Sequence, residues 1–354
     1  MTTVAKPQRT TNDVPWLVGL AILVLIGIVA WVVQLTQGFE VLGVGQTIVW
    51  GAYIATFFTL AGLAGGLVIF TALADLGVIP SLQPYRRSLL LGALACYVAS
   101  GFMILMDIGQ PLRVLNMIVS ANLSSPFVWD FASLALSVIV TAIYLFRGAK
   151  GKWLPAVAGV VAGLVIVMEG WILSMSAGGT LWHGGMMPLV FLVEGVLTAS
   201  AITLLAASNP QVAGWLRRVL LVLLPTLVVL TLFEVAPVTY AGNPEAQAET
   251  ALFLSGSLAP VYWGQVLLGI VVPFVLLAWA GANRTATNIA AVLALLGVLV
   301  AKLVVLLAGQ ALPFMQAEAT YAPTLVEVGG VVGILGLAGL LFLLGKRVVP
   351  ARPA

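Results

Sequence analysis

The chain has 354 residues, 62% of them hydrophobic and 8% charged, more apolar surface than a soluble domain of this size can hide, so the broad class is a polytopic membrane protein. A formal charge of +3, dispersed along the chain, gives no electrostatic footprint for nucleic acid. One cysteine, Cys96, and one histidine, His183, exclude an internal disulfide, a Cys-ligated iron–sulfur cluster and a bis-histidine haem within the chain.

About 20 apolar residues cross a bilayer as a helix. That length predicts ten spans, near 15–34, 47–78, 88–107, 126–146, 153–175, 187–207, 216–237, 260–281, 288–309 and 325–345. The expectation is an all-α transmembrane bundle over 15–345, with tails at 1–14 and 346–354. The first apolar run follows Lys6 and Arg9 as a signal peptide would, but its length suits a span and no small-residue cleavage pattern closes it, so it reads as a retained helix. The second run is too long for one span; its end, with Asp75, is expected to project beyond the membrane or to kink near Gly65 and Gly66. Ten helices place Lys6, Arg9, Arg86, Arg87, Arg147, Lys150, Lys152, Arg217, Arg218, Arg284, Lys346, Arg347 and Arg352 on one side. The other side receives only Arg113 together with Glu40, Asp107, Glu245, Glu249 and Glu318. Lys and Arg collect on cytoplasmic loops, so the expected location is the cytoplasmic (inner) membrane with both termini inside.

Seven ionisable residues fall within the apolar segments: Asp75, Asp130, Glu169, Glu194, Glu234, Lys302 and Glu327. A charge in hydrocarbon costs roughly 2.5–3.5 kcal/mol on insertion scales, so such residues mark ion paths, proton paths or substrate sites. All but Asp75 fall toward the acidic, outer side. Walker, Rossmann and metal-hydrolase motifs are absent.

The second span opens with Trp50-Gly51-Ala52-Tyr53 and continues through Ala61-Gly62-Leu63-Ala64-Gly65-Gly66, small residues whose spacing lets helices approach closely. The third ends in Asp107-Ile108-Gly109-Gln110-Pro111-Leu112-Arg113, and the fourth opens with Ser124-Ser125-Pro126-Phe127-Val128-Trp129-Asp130. Trp182 and His183 precede Pro188-Leu189-Val190-Phe191-Leu192, and the tenth span begins Pro323-Thr324-Leu325-Val326-Glu327. In this order the motifs resemble the NrfD/PsrC family of polysulfide-reductase-type quinone-interacting membrane subunits, from about Gln46 to the last helix, with the first span as an addition. Gln110 departs from the pattern, since many relatives carry a basic residue there.

The resemblance implies a membrane anchor that exchanges electrons between a quinone (menaquinone or ubiquinone) and an iron–sulfur subunit of four-cluster ferredoxin character. A molybdopterin-type catalytic subunit often accompanies such anchors. It implies no haem and no iron–sulfur cluster in this chain, and favours quinol oxidation, with proton translocation as an added capacity. Asp130 is the expected proton acceptor, and Asp107, Arg113, Trp129, His183 and Tyr53 are the expected quinone-binding residues. Glu169, Glu194, Lys302 and Asp75 form a candidate proton path. Each has a plainer role open to it. Asp130 suits a helix N-terminus, Asp107 and Arg113 suit a local ion pair, and His183 suits a polar surface. A Lys–Glu pair fixes packing, Asp75 suits a solvated helix end, and Glu234 and Glu327 suit solvated outer positions. Tyr97 and Gln265 are uncharged alternatives for contact with the ring oxygens. A second reading, from a different class, is a proton-coupled secondary transporter, whose site would lie near the bilayer midplane.

Overall fold

A computed structural model describes residues 13–349 apart from 150, 177, 184, 241, 280–282 and 312–319. The expected tails at 1–12 and from 350 onward, with Lys6, Arg9 and Arg352, lie outside the described residues, as do Lys150 and Glu318. Every regular element among the described residues is helical. Ten helices are long and apolar enough to cross a membrane: α1 (Val14–Gln37), α2 (Ala52–Asp75), α3 (Arg86–Asp107), α4 (Pro126–Arg147), α5 (Trp153–Met175), α6 (Met187–Ala206), α7 (Pro210–Tyr240), α8 (Ala259–Trp279), α9 (Arg284–Ala308) and α10 (Leu325–Val348). Successive helices alternate in direction. One face of the bundle therefore gathers the basic turns and the other the acidic ones.

Local chemistry sets most boundaries. Proline at the first turn starts α1, α4, α6, α7 and α8, where its missing N–H is no loss. Asn283 caps α9 by accepting from Ala286 N, and Thr324 and Glu327 form a reciprocal capping box at α10. Two expected boundaries differ. α2 begins at Ala52, not 47; the chain before it is not helical, and the amides of Val49 and Trp50 both donate to Gln310 Oε1. It also runs unbroken through Gly65 and Gly66 to Asp75. α7 begins at Pro210, where the Asn209 side chain accepts from Gln211 N, six residues before the expected start.

The helices group as two four-helix halves, α2–α5 and α6–α9, joined where α2 meets α6 and α5 meets α6. At this seam a Cβ on Gly66 would strike the Gly195 carbonyl, so only glycine permits the approach. α1 lies outside both halves and packs on α10, where Gly27 and Gly333 meet backbone to backbone. The rest of α1 is largely exposed to the bilayer.

The basic face has a structural logic of its own. Arg284 donates to Ala207 O and Leu205 O at the end of α6, and Arg217 to Leu277 O and Ala278 O at the end of α8. Arg86 reaches Tyr144 O in the last turn of α4, and Arg87 reaches Lys346 O in α10. Helix C-termini leave carbonyls without partners and carry partial negative charge. These arginines answer both needs.

Candidate functional site

Toward the acidic face, α2, α3, α4 and the turn after α3 enclose a cavity of about 780 Å³. Its walls are apolar and aromatic: Trp50, Phe57, Phe58, Phe102, Phe127 and Phe131 all contribute. Three ionisable residues interrupt them, Asp107, Arg113 and Asp130. Asp130 sits four residues into α4, about 6 Å below its first residue. It is buried, and its Oδ1 has no hydrogen-bond partner among the described residues. Asp107 and Arg113 share the cavity without an ion pair; among the described residues the ion pairs are Asp75–Arg86 and Lys302–Glu194. A pocket of this size and apolar lining, with a few convergent polar groups, is the usual form of a small-molecule site.

Trp50 ties this cavity to the turn at residues 180–183. Its ring stacks on Trp182 at 5.5 Å and meets Phe127 edge-on at 6.0 Å. Trp182 is buried and donates to Val305 O at 2.8 Å. The main chain before α2 is held by Gln310, which accepts from two amides and returns a bond to Trp50 O.

Three of the expected quinone-binding residues stand elsewhere. Trp129 turns outward, half exposed, with Nε1 on Leu123 O, because α4 presents positions 127, 130 and 131 to the cavity. His183 is exposed on its turn, with Nδ1 against Gly179 O at 3.1 Å. Tyr53 is buried one turn before Phe57 on a neighbouring face of α2, outside the cavity lining, with its hydroxyl toward Val326 O and Gly330 of α10.

The remaining buried charges separate into two groups. Glu169 of α5 is wholly buried, and neither carboxylate oxygen has a hydrogen-bond partner among the described residues. Lys302 of α9 pairs at 2.5 Å with Glu194 of α6, not with Glu169. Glu234 of α7 is half-buried rather than solvated. Asp75 lies some 30 Å away along α2 at 1.5 Å per residue. It is not a solvated helix end: Arg86 Nε approaches it at 2.6 Å and the Tyr144 hydroxyl donates to it at 2.7 Å. Glu327 is also buried, not solvated, and accepts from Gly43 N, Thr324 N and the Tyr321 hydroxyl. Burial and the Glu327 carboxylate beside it hold the Tyr321 phenol above its ordinary pKa, so it remains a donor.

Sequence reasoning missed the aromatic walls, Gln310 and a polar stripe on α4. That stripe, Asp130, Ser133, Ser137, Thr141 and Tyr144, is buried along one face and legible in its three- and four-residue spacing. Three of its hydroxyls are tied to carbonyls, Ser133 to Asp130 O, Ser137 to Val161 O and Tyr144 to Thr71 O.

The family described as polysulphide reductase, NrfD, matches residues 40–313. A putative dimethyl sulfoxide reductase membrane subunit of Halobacterium salinarum is 26% identical, over 96% of this chain and 92% of its own. One of the selenate reductase subunits of Mesobacillus selenatarsenatis is 20% identical over 94% and 92% of the two chains. An Hdr-like menaquinol oxidoreductase integral membrane subunit of Archaeoglobus fulgidus is 23% identical, again over 94% and 92%. None of these relatives supports a transporter.

Proposed function

Because the chain belongs to the NrfD polysulphide reductase family, we propose that it is the quinone-reactive membrane subunit of a respiratory reductase complex. The named relatives are subunits of a dimethyl sulfoxide reductase, a selenate reductase and a menaquinol oxidoreductase. The expected partners are a four-cluster ferredoxin-like iron–sulfur subunit and a molybdopterin-type catalytic subunit. The basic face is cytoplasmic in this reading, by the segregation of Lys and Arg, and both partners dock at the acidic outer face.

The observation that carries the reading is Asp130: a buried carboxylate with an unbonded oxygen, opening into an apolar cavity large enough for a quinone ring. Quinol oxidation releases two protons and two electrons. Asp130 accepts a proton from one ring hydroxyl. Arg113, always charged, steadies the negative charge that develops on the ring oxygen as that proton leaves. Asp107, the second carboxylate of the cavity, accepts the proton of the other ring hydroxyl. The phenylalanines exclude water and pack the ring, and the electrons pass to the nearest cluster of the docked partner. Trp129, His183 and Tyr53 have no direct part in this scheme, and Asp75 serves as a structural anchor.

The test is quinol oxidation by the purified, intact complex. Asp130→Asn keeps the complex assembled and lowers turnover by about 10²-fold or more, the scale on which general bases act. Unchanged turnover in that variant removes Asp130 from the chemistry.

A further inference from the structure

A second cavity, of about 260 Å³, occupies the other half of the bundle, between α6, α7, α8 and α9. Its walls carry Glu194, Glu234, Gln265, Thr231 and Tyr262 among apolar residues. The space has room for water, and these polar groups are the partners a water needs. The adjoining π-helical turn, Val266–Val271 in α8, supplies two lining residues; such turns recur at functional sites.

Two rings and a buried ion pair stand between the two cavities. Phe58 lines the first, and its ring meets Phe191 edge-on at 5.2 Å. Behind Phe191 stands the Lys302 ammonium, over the ring face and paired with Glu194. Glu169 lies beside this partition. One turn along α5, Ile172 lines the first cavity; in the other direction Ile166 lies against Gly65 and Gly195, next to Glu194. Glu169 is within electrostatic range of both Asp130 and Lys302, and Glu234 is within range of Glu194 and Lys302. At 1.5 Å per residue, Asp130, Glu169, Glu194, Lys302 and Glu234 all sit about 6–11 Å from the acidic-face ends of their helices. They form a layer parallel to the membrane, not a column across it.

Building on the quinone reading of the first cavity, we propose that protons taken from quinol leave through the second cavity, along Asp130, Glu169, the Lys302–Glu194 pair and Glu234. Each hop moves one proton from a protonated carboxyl to the next carboxylate; the electrons leave separately to the iron–sulfur partner. Glu169 is an acceptor with both oxygens free of hydrogen bonds. Lys302 can turn its ammonium between Glu194 and Glu169, following the negative charge. Glu234, with an unbonded oxygen, hands the proton to water in the second cavity. Arg113 lines the first cavity, and its fixed positive charge opposes a proton leaving on its side.

The experiment uses the intact complex in proteoliposomes, with a short-chain quinol, a pH dye and stopped-flow detection of cluster reduction. Glu234→Gln is expected to slow steady-state oxidation and proton release together by about ten-fold or more, while leaving quinol affinity and the first-turnover reduction of the clusters unchanged. Glu234→Asp restores most of the rate. Removing Lys302 alone strands a buried carboxylate and endangers the fold, so the neutral pair Lys302→Met with Glu194→Gln is the second variant, with the same expected loss. Oxidation and proton release within about two-fold of the native complex in both variants overturn the relay. Loss of quinol affinity in either variant also overturns it, since a relay residue does not touch the ring. Failure of the underlying reading is separate: it is full turnover in Asp130→Asn.

Discussion

At the basic face Asp75 receives Arg86 at 2.6 Å and the Tyr144 hydroxyl at 2.7 Å, and Arg86 also bonds Tyr144 O and lies over the Tyr144 ring. At the acidic side Glu169 is wholly buried with both oxygens unbonded among the described residues, and Asp130 and Glu234 each keep an unbonded oxygen. Both groups are charged residues in a lipid-facing bundle, yet one is saturated with partners and the other is not. Burying a polar group without partners costs about 1–3 kcal/mol, more for a charge. A fold retains such a deficit where the group must exchange a proton or meet a ligand. In the proposed reading, saturation makes the Asp75 cluster architecture, and the unbonded oxygens of Asp130, Glu169 and Glu234 make the outer layer chemistry.

Substitutions can break this contrast, and the largest effect belongs to the outer layer. Asp130→Asn should lower quinol turnover by about 10²-fold or more without loss of assembly, read as rate per assembled complex. The inner cluster should respond in the opposite sense. Asp75→Asn should destabilise the purified complex by about 2 kcal/mol, between the values for surface and buried pairs because Arg86 is partly exposed. Its turnover per assembled complex should stay within about two-fold. Lost turnover with normal melting would move Asp75 into the chemistry. A comparable, purely structural effect is expected just before α10. Tyr321→Phe leaves the Ala52 amide and one Glu327 oxygen without their bonds, at about 1–3 kcal/mol, visible as a lower melting temperature. The smallest effect is at His183: exposed on its turn and absent from the lining of both cavities, it should tolerate Ala with turnover changed by less than about two-fold.

Much of the bundle was legible because a membrane span needs length and apolarity, and both are local properties. Helix ends set by proline or by an Asn or Thr cap were within four residues of expectation, apart from the start of α7 at Pro210. The start of α2 also differed, where the preceding chain is held by Gln310, some 260 positions away in sequence. The site was legible in part. Asp107, Arg113 and Asp130 do share one cavity. Trp129, in the same motif, points away, since neighbours on a helix are turned about 100° from each other. The aromatic lining carried no signal: a phenylalanine in a span has the same pattern whether it faces lipid, a neighbouring helix or a cavity.

The sequence by itself determined the class, the ten helices, the segregation of basic and acidic ends, and the presence of ionisable groups at similar depth, because each follows from composition, length or position along a helix. Only the tertiary structure decided which charges are satisfied. Lys302 could have paired with Glu169 or Glu194, and Asp75 could have stood in water; the choice was made by which helix faces meet. The close approach of α2 to α6 through Gly66 and Gly195 sets Phe58 against Phe191 and so places the two cavities back to back. That arrangement depends on side chains distant in sequence, and no local rule encodes it.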